Sequence, residues 1–154
     1  MPGPLAGVKI LDLSWVLSGP FTTMILSDLG AEVIKIERPG SGDLARGNGP
    51  FIDGESSYFM SINRGKKSVT LDLQTKLGKQ VFLKLVKKAD VVVENFVPGT
   101  MKRLGLDYDV IKEQNPAIIY AAISGFGQTG PRAQAPALDI VIQAMGGLMS
   151  ITGE

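Results

Sequence analysis

Apolar and polar positions along the chain alternate between two periods. Val8–Leu13 (VKILDL) and Glu32–Glu37 (EVIKIE) are short apolar runs rich in β-branched residues, which predicts strands. Between them, Phe21–Leu29 carries apolar residues at helical spacing, is preceded by the Ser18-Gly19-Pro20 breaker, and meets a stop signal at Gly30. Ser68–Leu73 (SVTLDL) alternates as a strand does, and Leu77–Lys88 repeats apolar residues as an amphipathic helix. Ala89–Phe96 (ADVVVENF) and Ala117–Ser124 (AIIYAAIS) are continuously apolar, which predicts buried strands. Short helices are expected from Pro98–Gly99 through Leu104 and over Asp107–Glu113. Leu138–Ile151 is apolar on nearly every side and predicts a buried helix, with its methionines as core filling. Pro39–Gly54 and Gly125–Pro131 are rich in glycine and proline and predict loops; the first is long enough to suggest a functional role.

Strands that alternate with helices, with continuously apolar strands in the middle, predict an α/β fold: a Rossmann-like parallel sheet with helices on both faces. Residues 1–154 show no repeat and no internal boundary, so they read as one domain. The last residues, Thr152-Gly153-Glu154, follow directly on an apolar helix, which suggests a piece of a larger fold.

In such sheets ligands bind beyond the carboxyl ends of the strands. Those ends fall at Ser14–Pro20, Arg38–Asp43, Asn95–Gly99 and Gly125–Gly130. Arg38 and Arg103 lie near two of them, and a guanidinium fork suits phosphate, although Arg38 also reads as an ordinary surface arginine. Helix starts after Ser18 and Pro98 would add backbone donors. Glu94-Asn95 is well placed at a strand end. Asp12, inside a strand, reads as a structural carboxylate, and Asp139 as a charge at a helix start. No G-x-G-x-x-G follows the first strand, where Trp15-Val16-Leu17-Ser18-Gly19-Pro20 stands instead, and no P-loop pattern occurs, which disfavours an NAD-dependent oxidoreductase.

Composition narrows the chemistry further. There is no Cys and no His, which excludes thiolate nucleophiles, zinc-thiolate sites and the usual histidine base within these residues. Covalent catalysis by a carboxylate fits that restriction. The net charge of +1 gives no case for nucleic acid or an anionic membrane surface, and neither a secretory signal nor a membrane-length apolar run is evident, so a cytoplasmic protein is the expectation.

Taken together, PLAGVKILDLS (4–14), GPFTTMILSDLGAEVIKIERPGSGD (19–43), NRGKKSVTLDL (63–73), ADVVVENFVPGTMKRLGL (89–106), NPAIIYAAISGFGQTGP (115–131) and LDIVIQAMGGLMSITG (138–153) resemble the family III CoA-transferases. That family includes formyl-CoA and carnitine CoA-transferases and the related α-methylacyl-CoA racemases. The resemblance implies coenzyme A, as the co-substrate acyl-CoA, bound at these strand ends without a metal. Arg38 and Arg103 match phosphate contacts. Leu71 and Leu73 match the lining of the adenine site, and Asn95 and Phe96 match contacts to the nucleotide and pantetheine arm. Val16 matches a residue beside the thiol end. A lysine common after the TLDL strand is Gln74 here, with Lys76 close by. The resemblance also implies that residues 1–154 are the N-terminal part of the CoA-binding domain, that the nucleophilic aspartate lies some 15–20 residues beyond SITG, and that the full-length protein is an interlocked homodimer. No catalytic residue is therefore assigned within the chain. The racemase branch carries a His where Leu138 stands, which favours CoA transfer to a free carboxylic acid. A racemase relative and a non-catalytic CoA-binding fragment are the alternatives.

Overall fold

The computed structural model describes residues 2–135 and 137–153. Five parallel strands form the sheet: β1 (Lys9–Asp12), β2 (Glu32–Glu37), β5 (Lys67–Thr70), β6 (Val91–Glu94) and β7 (Ile119–Ala122), in the order β5-β2-β1-β6-β7. The chain first builds outward from β1 on one side, then crosses back and builds outward on the other. The order therefore reverses between β1 and β6, the place where parallel sheets of this kind form a crevice at the carboxyl ends of their strands.

The period-two pattern of the strands sorts side chains onto two faces. Leu11, Leu13, Ile36 and Val92 meet Phe82 and Val86 of α3 (Lys76–Val86), Met101 of α4 (Thr100–Leu104) and Ile111 of α5 (Tyr108–Gln114). On the opposite face Ile10, Val33 and Val93 pack with Ala31 and with Leu26 of α1 (Ser18–Asp28). Helices thus cover both faces, as the apolar strands predict. Gly30, at φ 102°, closes α1 as expected: its N–H donates to Ser27 O, and Ala31 N–H donates to Leu26 O. Gly19 is required for a different reason. A β-carbon there would stand 2.2 Å from Ser14 Cβ, so only glycine lets the start of α1 press against the end of β1.

Three expectations are corrected. The segment 39–54 is not wholly irregular. Asp43 opens a one-turn helix, Leu44–Gly47, by accepting from Ala45 N–H, and a small antiparallel pair, β3 (Phe51–Ile52) and β4 (Glu55–Ser56), follows. Next comes α2 (Ser57–Asn63), which the sequence reading missed; it is too short for a periodic stripe, and its one signal is Ser56, whose hydroxyl caps Phe59 N–H. Second, Ala117–Ser124 is not a buried strand. β7 lies at the sheet edge, and Ile119 is 62% exposed. Third, Leu138–Ile151 is not one buried helix. It forms α6 (Asp139–Met145) and α7 (Met149–Thr152), broken at Gly146-Gly147, where Gly147 takes φ 77°. Neither helix has a buried residue, because no described element packs over their apolar side chains. Among the described residues no helix is long and apolar enough to cross a membrane.

Phe82 is wholly buried between α3 and the sheet. Replacing it with alanine should cost about 3–5 kcal/mol through lost burial and an unfilled cavity, read as a lower urea midpoint; an unchanged midpoint would place Phe82 outside the core.

Candidate functional site

The site is built where β1 and β6 end. Past β1 the chain runs between the carboxyl ends of its neighbours, with Leu13 N–H donating to Val93 O at 2.8 Å. Asn95, just past β6, grips Trp15 twice. Its Oδ1 accepts from Trp15 N–H at 2.8 Å, and its Nδ2 donates to Trp15 O at 2.7 Å. The half-buried Trp15 ring meets Phe96 edge to face, with ring centres 5.2 Å apart, and the Arg38 guanidinium lies 4.9 Å from its centre. Arg38 Nε donates to Gly42 O at 3.2 Å, and the side chain is otherwise exposed.

Below this surface lies a layer of buried charge on the α1 face of the sheet. Asp12 accepts from Ser14 N–H at 2.9 Å, Thr23 Oγ1 at 2.6 Å and Lys66 Nζ at 3.0 Å, and also from Ser14 Oγ. This confirms its structural reading. Burial pushes its carboxyl upward, but Lys35, Lys66 and the hydroxyl donors outweigh that and hold it below the usual carboxylate range. Lys35, in the middle of the apolar β2, is 1% exposed. Its Nζ donates to Ser14 O at 2.8 Å and lies 2.8 Å from Asp43 Oδ2. That second contact lies off the direction of a hydrogen bond, so it acts as an ion pair and leaves Oδ2 without a hydrogen-bond donor. Asp43 Oδ1 accepts from Val16 N–H at 3.0 Å and Ala45 N–H at 2.9 Å. Glu37 receives both Nε and Nη2 of Arg46, at 2.7 and 2.8 Å, as well as Ser68 Oγ and Asp43 N–H.

On the other face, buried Glu94 accepts from Phe96 N–H at 2.7 Å and from Tyr120 Oη at 3.2 Å. Burial raises its carboxyl above the usual value despite those two donors, and burial beside Glu94 likewise raises the Tyr120 phenol. Glu94 and Tyr120 line an open groove of about 510 Å³ with Thr100, Lys102 and Tyr108. A smaller cavity of about 80 Å³ lies beside Asn95 and Phe96, and Ser124, whose buried hydroxyl finds no partner among the described residues, lines it.

Of the residues singled out in the sequence, Val16, Arg38, Asn95 and Phe96 are therefore gathered around Trp15. Leu71 and Leu73 follow β5, half-buried, and pack on the same apolar cluster as Phe96. Arg103 is held separately on α4, where its Nη2 donates to Thr100 Oγ1 at 2.7 Å. Gln74 and Lys76 are both exposed at the start of α3, and Gln74 N–H donates to Asp72 Oδ1. Asp139 opens α6 and accepts from Gln143 within its own helix. Burial, and secondarily the charges of Asp43 and Asp139, raise the Tyr58 phenol. Sequence reasoning missed Trp15 as the centre of the group and Lys35 and Asp43 as its support. One signal was available: a lysine inside an apolar parallel strand needs a carboxylate partner.

Burial raises the Glu37 carboxyl, but hydrogen bonds from Arg46, Ser68 and the Asp43 amide overcome this and bring it down from 4.5 to about 2. A carboxyl lowered by folding stabilises the protein above its unfolded value, and that stabilisation fades as pH falls from 4.5 toward 2. Acid unfolding should therefore steepen in this window, and Glu37→Gln should flatten the slope there; an identical slope in the variant would remove Glu37 from the account.

Comparison with known proteins agrees with this architecture. The family model described as CoA-transferase family III matches residues 5–154. The chain is 52% identical over 151 residues to an acetyl-CoA:oxalate CoA-transferase of Acetobacter aceti, covering 98% of this chain and 39% of that protein. It is 53% identical over 151 residues to the succinyl-CoA:glutarate CoA-transferase of Homo sapiens, covering 97% and 34%. The crystal structure of a CAIB/BAIF family protein from Brucella suis superposes with a TM-score of 0.94 at 45% identity, covering 100% of this chain and 42% of that one. The chain thus spans roughly two-fifths or less of the length of these relatives. Across that span, the sheet order, the strand-end loops and the sequence agree: the chain belongs to CoA-transferase family III.

Proposed function

We propose that this chain carries the CoA-binding face of an enzyme that moves CoA between an acyl-CoA thioester and a free carboxylic acid. The observation that supports this most directly is the Arg38–Trp15–Phe96 group, pinned by Asn95 at the reversal of strand order in a family III chain. A parallel sheet receives ligands at that crevice. In this reading the exposed Arg38 and Arg103 take the CoA phosphates, since a planar cationic fork donates paired hydrogen bonds to phosphate oxygens. Leu71 and Leu73 offer the adenine an apolar wall, while Asn95 and Phe96 border the nucleotide and pantetheine arm. Val16 stands beside the thiol end. The two relatives described above are named for oxalate and glutarate, and we infer a short dicarboxylic acid as the acceptor here.

The chemistry needs no histidine, thiol or metal from these residues. The nucleophile is an aspartate that family resemblance aligns beyond residue 154. It attacks the thioester carbonyl, giving a mixed anhydride and CoA thiolate. The thiolate then attacks the enzyme's own carbonyl, forming an enzyme–CoA thioester and releasing the donor carboxylate. The acceptor carboxylate attacks that thioester, and the regenerated thiolate takes the acceptor's acyl group from the new anhydride, freeing the aspartate. An interlocked homodimer in the cytoplasm belongs to the same proposal. Leu138 supplies no base for α-proton abstraction, which argues for transfer rather than racemisation.

The test is Arg38→Ala in the full-length protein. Losing one charged hydrogen-bonding partner costs roughly 1.5–3 kcal/mol, so the KM for the acyl-CoA should rise roughly ten- to 150-fold. An unchanged KM would remove Arg38 from the phosphate site. NAD binding without CoA binding in calorimetry would overturn the assignment as a whole.

A further inference from the structure

Val16 has φ 63°, a left-handed conformation that a β-branched residue rarely adopts. Such a conformation persists only where the surroundings over-determine it. Here the surroundings are unusually complete. Five consecutive backbone polar groups, from Ser14 N–H to Val16 N–H, are all held by side chains. Ser14 N–H donates to Asp12, Ser14 O accepts from Lys35, Trp15 N–H and O both bond Asn95, and Val16 N–H donates to Asp43. Asn95 fixes the middle of this run. Lys35 and Asp43, 1% and 0% exposed and 2.8 Å apart, fix the groups on either side of it.

We propose that the buried Lys35–Asp43 pair positions the strand-end loop for the reaction: it locks Val16 in its left-handed conformation and thereby fixes the wall against which the reacting end of the thioester rests. A pair serving stability alone has a cheaper alternative, because apolar side chains of similar volume often replace a buried ion pair at no loss. What apolar side chains cannot do is hold the Ser14 carbonyl and the Val16 amide at set places on either side of Trp15, and so fix the chain as it enters the strained residue. The Asp43 carboxylate does this from 27 residues away, and Ala45 N–H and Lys35 in turn fix its own orientation. The pair is a positioning device, since neither side chain reaches the loop's outer surface.

The catalytic consequence rests on the CoA-transferase reading; the clamp itself does not. Hydrogen exchange resolved to single amides in the full-length enzyme tests the clamp, and steady-state kinetics tests the consequence. The wild-type Val16 amide should exchange slowly. In Asp43→Asn it should exchange fast while the Leu11 and Ile34 amides stay protected. In the same variant kcat should fall at least about tenfold, with the acyl-CoA KM changed by less than about threefold, because the phosphate contacts lie elsewhere. Should Asp43→Asn fail to fold, Lys35→Arg keeps the charge but moves the donors, and the same loss of kcat at constant KM is expected. An unprotected Val16 amide in the wild type, or wild-type kcat in either folded variant, overturns the proposal. A wild-type enzyme that transfers no CoA refutes the functional reading instead, and the exchange result still decides the clamp.

Discussion

Burying charge beneath the strand-end surface is the constraint around which this structure is arranged. Lys35 and Lys66 stand in the interior with Asp12 and Asp43, so the inner layer is electrically balanced, and Glu37 is balanced by Arg46 at its margin. A charge in such a place is tolerated only when its partner and its remaining hydrogen bonds are supplied. Here they come from the loops themselves: Ser14 O, Pro20 O and the amides of Ser14, Val16, Asp43 and Ala45. The need to satisfy the charges and the need to shape the loops are therefore met by the same bonds. The strand-end surface cannot deform without leaving an ion unpaired, which is how a site made of loops acquires the stiffness of the sheet.

How much of this was legible beforehand depended on the range of the interaction. The strands and longer helices follow from local periodicity, and Glu32–Glu37 is observed with the same bounds as expected. The glycine-rich strand ends, and the presence there of Arg38, Asn95 and Phe96, follow from topology. Trp15 did not stand out because its place depends on residues 23 and 80 positions away, Arg38 and Asn95. Asp43 looked like one more polar residue of a loop; its burial follows only once Lys35 is known to point inward. The helical expectation for 138–151 failed for a related reason. Its apolar residues predict burial, but burial needs a covering partner, and none of the described elements supplies one.

The uncovered surface has a pattern. Leu138, Ile140 and Ile151 are 63–79% exposed, and Leu17, Phe21 and Ile25 form an apolar stripe at helical spacing along the outer side of α1. Patches of this kind mark surfaces made to be covered by other protein. They suit a chain that spans only about two-fifths of its relatives' length.

The pair of hydrogen bonds between Asn95 and Trp15 also bears on synthesis. The two residues are 80 positions apart, and the strands that bring them together are not neighbours in sequence. A chain synthesised only as far as β5 contains β1, β2 and β5 but not the residue that pins Trp15, since Asn95 follows β6. The Trp15 group is thus completed in one step, when the chain crosses back over β1 to form β6. Until then the loop after β1 lacks both bonds that hold its tryptophan.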